Sequence, residues 1–88
     1  MNNPLLTTLE IVQMLGVQSA SASELMTKFS ISVASLKRHL FEARLLGANI
    51  ESIRFGKGWV YVLANKDAVR TKVHQWIQLE RERDLTGF

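Results

Sequence analysis

The stretch Ser21–Leu46, SASELMTKFSISVASLKRHLFEARLL, constrains the fold more than any other part of the chain. Ser21-Ala-Ser-Glu24 has the spacing of a capping box, in which serine and glutamate satisfy each other's backbone N–H groups at a helix start. Leu25, Met26 and Phe29 give the helix behind it an apolar face. Ser30-Ile31-Ser32 is too short and too polar to continue that helix, and Ser32 is placed to cap the next one. Ile31 between the serines is expected to plug the angle between the two helices. The second helix is predicted over 33–46, with Gly47 as its stop. Val33, Leu36, Leu40 and Ala43 are expected to face the core. Two short helices joined by a turn of three or four residues make a helix-turn-helix.

The flanking segments complete one small domain. Asn3-Pro4 opens a helix predicted over 4–15, since proline is tolerated in a first turn. Leu5, Leu9, Val12 and Leu15 form its apolar stripe and Gly16 its expected end. After Gly47 the pattern changes from period 3.6 to period 2. Asn49–Phe55 and Trp59–Leu63 are strand-like, and Gly56-Lys57-Gly58 between them is a turn signal. Trp59 and Tyr61 are expected to pack one side of this hairpin onto the domain. Asn65 is expected to cap a last helix over 66–83, with Ala68 or Val69, Val73, Trp76 and Ile77 inward and 85–88 frayed. The expected fold is mainly α with a small β-hairpin: core and hairpin over 4–64, C-terminal helix over 65–84, and a single domain over 1–88.

Charge narrows the function. The net charge of the 88 residues is +3. Residues 28–57 hold Lys28, Lys37, Arg38, Arg44, Arg54 and Lys57 against Glu42 and Glu51, a local +4. Such an excess, placed on the second helix of a helix-turn-helix and on the hairpin after it, favours a polyanionic partner. There is no cysteine, so no disulfide or thiolate site is possible, in keeping with a reducing, cytoplasmic setting. No apolar run approaches a bilayer span, and the N-terminus lacks the basic start of a signal peptide. His39 and His74 have no metal-ligand spacing, and Gly56-Lys57-Gly58 is too short for a P-loop. No enzymatic activity and no cofactor are expected.

Three helices followed by a two-stranded hairpin is the order of a winged helix. The chain over 9–63 resembles the N-terminal winged helix-turn-helix of DeoR-type and biotin-repressor-type regulators. The resemblance rests on Glu24-Leu25-Met26, Phe29-Ser30-Ile31-Ser32, Ser35-Leu36-Lys37-Arg38, Leu40, Gly47, Ile50 and Gly56–Leu63. It implies that Ser32, Ser35, Lys37 and Arg38 form the DNA-facing start of a recognition helix and that Lys57 is the wing tip. Two positions depart from the family pattern: His39, where an acidic residue is common, and Phe41, where a polar one is usual.

The expected function is therefore sequence-specific binding of double-stranded DNA by a small transcriptional regulator, such as a repressor. Ser35, Lys37, Arg38 and His39 would lie on the major-groove side, and Arg54 and Lys57 would grip the backbone or minor groove. Ser32 would stand at the helix start. The start of the preceding helix, at Ser21 and Ser23, would offer N–H groups to a phosphate. Phe41 and Leu45 form a surplus apolar pair, expected on the back of the helix over 33–46 and covered either by the last helix or by another subunit. A homodimer is expected through that pair and/or the last helix at Val69, Val73, Trp76 and Ile77. The alternatives are a protein-interaction adaptor and a DNA-handling component of replication or packaging.

Overall fold

A computed structural model describes residues 3–86. The order of elements is α1 (Pro4–Val17), α2 (Ala22–Phe29), α3 (Val33–Leu45), β1 (Ile50–Phe55), β2 (Gly58–Leu63) and α4 (Lys66–Thr86). The chain is thus mainly helical with one antiparallel hairpin, as expected. The expected fray over 85–88 is not seen at 85 and 86, where α4 continues to Thr86; residues 87 and 88 lie outside the described residues.

Local signals set most boundaries. The Asn3 side chain accepts from the Leu6 N–H, and Pro4 occupies the first turn of α1. Ser21 and Glu24 close both halves of the capping box on α2. Ser30 ends α2 in the left-handed region, at φ 53. Serine tolerates that conformation less readily than glycine, but it turns the chain within two residues. Ser32 then caps α3 by accepting from the Ser35 N–H. Gly47, at φ 107, ends the segment after α3, where an L side chain would be strained. The hairpin is tighter than expected: Phe55 pairs with Gly58, leaving Gly56 and Lys57 alone in the loop. Glycine first in a two-residue loop suits the twist of the strands.

Two further expectations about helix ends fail. Gly16 does not stop α1, which continues to Val17 and is closed by the Gln18 N–H donating to the Met14 carbonyl. A Cβ at Gly16 would meet Leu63 at 3.7 Å, ordinary contact, so this glycine sits within a helix packed beside β2. Asn65 does not cap α4 with its side chain. Its Oδ1 accepts from the Asn49 N–H and its Nδ2 donates to the Gly47 carbonyl, each at 2.8 Å. It binds the exit of the hairpin to the segment that leads into it.

The core lies where α1, α2, α3 and the base of the hairpin meet, and α4 extends it along α1. Leu9, Ile11, Val12, Leu15, Leu25, Leu36 and Leu40 are buried in it. Leu5, expected in the α1 stripe, is partly exposed in the first turn. Ala20 is fully buried and exchanges two backbone hydrogen bonds with Tyr61, at 2.7 and 3.2 Å, a one-residue third strand beside the hairpin. Nothing in Gln18–Ser21 signalled a strand, because a single paired residue has no periodicity. At the far end of the hairpin's base, the Arg44 guanidinium donates twice to the Ile50 carbonyl and ties α3 to β1.

Val69, Val73 and Ile77 of α4 are buried in the core that α4 shares with α1. They cannot serve as the exposed dimer surface expected of them; Trp76 is half-buried beside them. Ala68, the alternative to Val69, is exposed. At the other end of α4, Glu80 is nearly buried, accepts from Asn3 and pairs with Arg83.

Candidate nucleic-acid interface

The orientation of α3 decides what the molecule presents. Leu36, His39, Leu40 and Ala43, spaced by three and four, form its buried stripe. His39 is therefore a core residue, 8% exposed, and not a surface contact. Its Nδ1 lies 2.7 Å from Oγ1 of Thr8, which is fully buried on α1. The Thr8 hydroxyl is also within 3.1 Å of the Pro4 carbonyl and 3.3 Å of a Glu42 carboxylate oxygen. A hydroxyl has one proton to donate, so when it goes to either oxygen the His39 Nδ1–H becomes the donor. Burial lowers the His39 pKa below its ordinary value; Glu42 opposes the shift and Arg38 adds to it. His39 drops out of the expected contact set for this reason.

Val33 was expected inward and is 51% exposed. It lies in the first turn of α3, and the buried stripe is completed by His39 instead.

With Leu36, His39, Leu40 and Ala43 inward, the outward stripe of α3 is Ala34, Lys37, Arg38, Phe41 and Leu45, again at intervals of three and four. All five are exposed, Phe41 at 60% and Leu45 at 71%. Phe41 and Leu45 are thus on the same face as the two cations, not behind them. α4 packs along α1 and leaves them uncovered.

The remaining expected contact residues are spread over three places. Ser32 and Ser35 lie at the start of α3: Ser32 is exposed but its Oγ is engaged in the cap, and Ser35 is half-buried. Ser21 and Ser23 are at the start of α2, where Ser21 is held in the capping box and Ser23 is exposed. Arg54 and Lys57 are at the hairpin end, Lys57 in the loop itself.

The cations differ in availability. Arg44 is held by the Ile50 carbonyl. Arg54 stacks its guanidinium over Trp59, 5.8 Å from the ring centre, across the strand pair Arg54–Trp59. Lys28, Lys37, Arg38 and Lys57 are exposed and have no ion-pair partner among the described residues.

Sequence reasoning missed the aromatic character of the hairpin. Trp59, expected to pack inward, is 57% exposed beside Arg54, and Phe55 is 73% exposed opposite Gly58, which has no side chain to cover it. Tyr61, nearer the base, does pack partly against the core. Burial falls off along the hairpin: Ile50 and Leu63 at its base are buried, Val60, Tyr61 and Val62 are half-buried, and 51–59 are exposed.

Two hollows accompany these surfaces. A groove of about 600 Å³ runs between α1 and α4, with Val12, Val69 and Val73 among its apolar lining and Gln13, Lys66, Asp67 and Arg70 among its polar groups. A smaller one, about 240 Å³, is bordered by Leu5, Leu9, Leu46, Trp76, Leu79 and Glu80. Among the described residues no His, Cys, Asp and Glu side chains cluster to hold a metal ion, and no helix is long and apolar enough to cross a membrane.

Comparison with family models, with curated proteins and with solved structures returned no match for this chain.

Proposed function

We propose that the chain is a winged helix-turn-helix that binds double-stranded DNA sequence-specifically, as a small transcriptional regulator. The observation that carries this reading is the pair Lys37 and Arg38, exposed and without an ion-pair partner among the described residues, on the outward stripe of the second of two helices joined by a short turn. In such a motif that stripe enters the major groove. The double hydrogen bond between Ala20 and Tyr61 supports the winged form, because it makes the hairpin part of a small sheet rooted in the segment before α2. Lys57 and Arg54 on the hairpin would meet the adjacent backbone, and Ser23 with the free N–H groups of the α2 start would meet a phosphate.

One such module covers few base pairs, so a second copy on a second half-site is part of the proposal. Phe41 and Leu45 would share the DNA-facing stripe, which leaves the smaller hollow at Leu5, Leu46, Trp76 and Leu79 as the dimer contact. A two-fold axis through that patch would let each copy fill the other's hollow.

The test is fluorescence anisotropy with a mixed-sequence duplex over a range of salt. Each phosphate contact contributes about 0.9 to the slope of log affinity against log salt. Lys37→Ala with Arg38→Ala should weaken binding and flatten the slope by up to about two. Unchanged binding by this double variant overturns the assignment. A protein-interaction adaptor is the second reading, favoured by the exposed rings of Phe41, Phe55 and Trp59. It requires that the wild type bind neither duplex DNA nor heparin.

A further inference from the structure

The outward stripe of α3 mixes two chemistries. Lys37 and Arg38 stand between two apolar residues, Ala34 one turn before them and Phe41 one turn after, and all four are exposed. A charged contact with phosphate explains the cations and leaves the apolar pair without a role. A solvated helix face does not need a phenylalanine that is 60% exposed. A second copy of the chain does not fit this stripe either. A two-fold contact would bring Lys37 and Arg38 toward their own copies, and the stripe has no acid to balance them. Glu42, the acid of α3, lies off the stripe and faces Thr8.

The partner must therefore be anionic overall and carry apolar spots at the depth the helix reaches. The major groove of DNA meets both conditions. Its phosphates supply the charge, and thymine is the one base whose major-groove edge ends in a methyl group. We infer that Ala34 and Phe41 read thymine methyl groups, and that the target sites of this protein are thymine-marked on either side of the Lys37–Arg38 contact. This rests on the DNA-binding reading and adds the base class to it. The seven-residue interval from Ala34 to Phe41 spans about 10 Å along the helix, or about three base steps. Phe41 carries most of the discrimination, since its ring can cover a methyl that the smaller Ala34 only touches.

The experiment selects bound duplexes from a random-centre pool and resynthesises the recovered sequences with deoxyuridine in place of thymidine. The exchange removes the methyl groups and keeps every hydrogen-bonding edge. Wild type should bind the deoxyuridine duplexes less tightly, by about four-fold for each methyl contact. Phe41→Ala should lose most of that difference while keeping the salt slope of wild type, and Phe41→Leu should restore part of it. Because Phe41 is exposed, its variants are expected to fold as wild type does, which circular dichroism checks. Equal affinity of wild type for both duplexes overturns thymine reading and leaves DNA binding standing. A difference that persists in Phe41→Ala overturns the assignment to this residue and points to the stiffness of the duplex. Recovery of no duplex at all overturns the DNA-binding reading and this inference with it.

Discussion

Thr8→Val tests the arrangement of α3 most directly. Thr8 is fully buried, and its hydroxyl lies 2.7 Å from His39 Nδ1. Valine keeps nearly the same shape, so no cavity opens and the effect is that of the lost hydroxyl. His39, at 8% exposure, cannot turn to water for a replacement partner. Leaving a buried polar group unpaired costs about 1–3 kcal/mol. A domain of this length is stable by about 4–13 kcal/mol, from roughly 0.05–0.15 kcal/mol per residue. A loss of about 2 kcal/mol is then a large fraction, and it corresponds to a fall in Tm of about 8–16 °C. The matched control is Thr8→Val with His39→Leu, which removes both polar partners together. Replacing both with apolar groups is expected to be close to neutral, so the double variant should recover most of the loss. Urea unfolding followed by circular dichroism measures both. If Thr8→Val unfolds within about 0.5 kcal/mol of wild type, a margin typical of uninvolved surface sites, the buried bond is not what holds α3 to α1. If the double variant is as unstable as the two single changes added together, the two side chains are not coupled, and the reasoning fails at that point.

The same histidine sets a pH dependence. Its folded pKa is lowered by burial, so the unfolded chain takes up the proton first as pH falls below its ordinary value of about 6.5. The stability that His39 contributes is then full above that pH and declines below it. The urea midpoint of wild type should drop between pH 7.5 and 5.5 more than that of His39→Leu. Asn65→Ala removes two hydrogen bonds, to the Asn49 N–H and the Gly47 carbonyl. It should cost about 1–2 kcal/mol, and hydrogen exchange should quicken at the base of the hairpin before it does in α1.

What could be read in the sequence was local. The capping box at Ser21 and Glu24, the serine cap at Ser32, the stop near Gly47 and the presence of a turn at Gly56-Lys57-Gly58, though not its two-residue length, each depend on residues within a few positions of one another. Lys37 and Arg38 were placed on an exposed face for the same reason. Several of the failures were at residues whose partner is distant. His39 was grouped with its basic neighbours, yet the group that fixes it is Thr8, 31 positions earlier. Phe41 and Leu45 are expected on the back of α3, yet at about 100° per residue they lie opposite Leu36, Leu40 and Ala43 whether or not Val33 joins that stripe, and the structure has them exposed beside Lys37 and Arg38. Ala20 had no strand pattern, since its pairing is a single bridge to Tyr61. Asn65 had the form of a cap, and the Gly47 carbonyl that claims its amide lies 18 positions earlier.

The consequence for function is that rotation of α3 about its own axis decides what the domain offers a partner. Leu36, Leu40 and Ala43 are apolar and interchangeable against α1; they favour burial of that stripe without strongly fixing its angle. The Thr8–His39 bond has direction, and a rotation of one residue would break it while bringing Arg38 inward. A polar contact inside an apolar interface can in this way select one packing over its neighbours. The double variant Thr8→Val with His39→Leu separates the two roles. Its stability should return close to wild type, because apolar burial supplies that. If the chain binds DNA as proposed, its discrimination between duplex sequences should not return fully, because the angle at which Lys37, Arg38 and Phe41 would face the groove is no longer pinned. A double variant that is both as stable and as selective as wild type would mean that packing alone sets the rotation, and that the buried histidine is incidental to recognition.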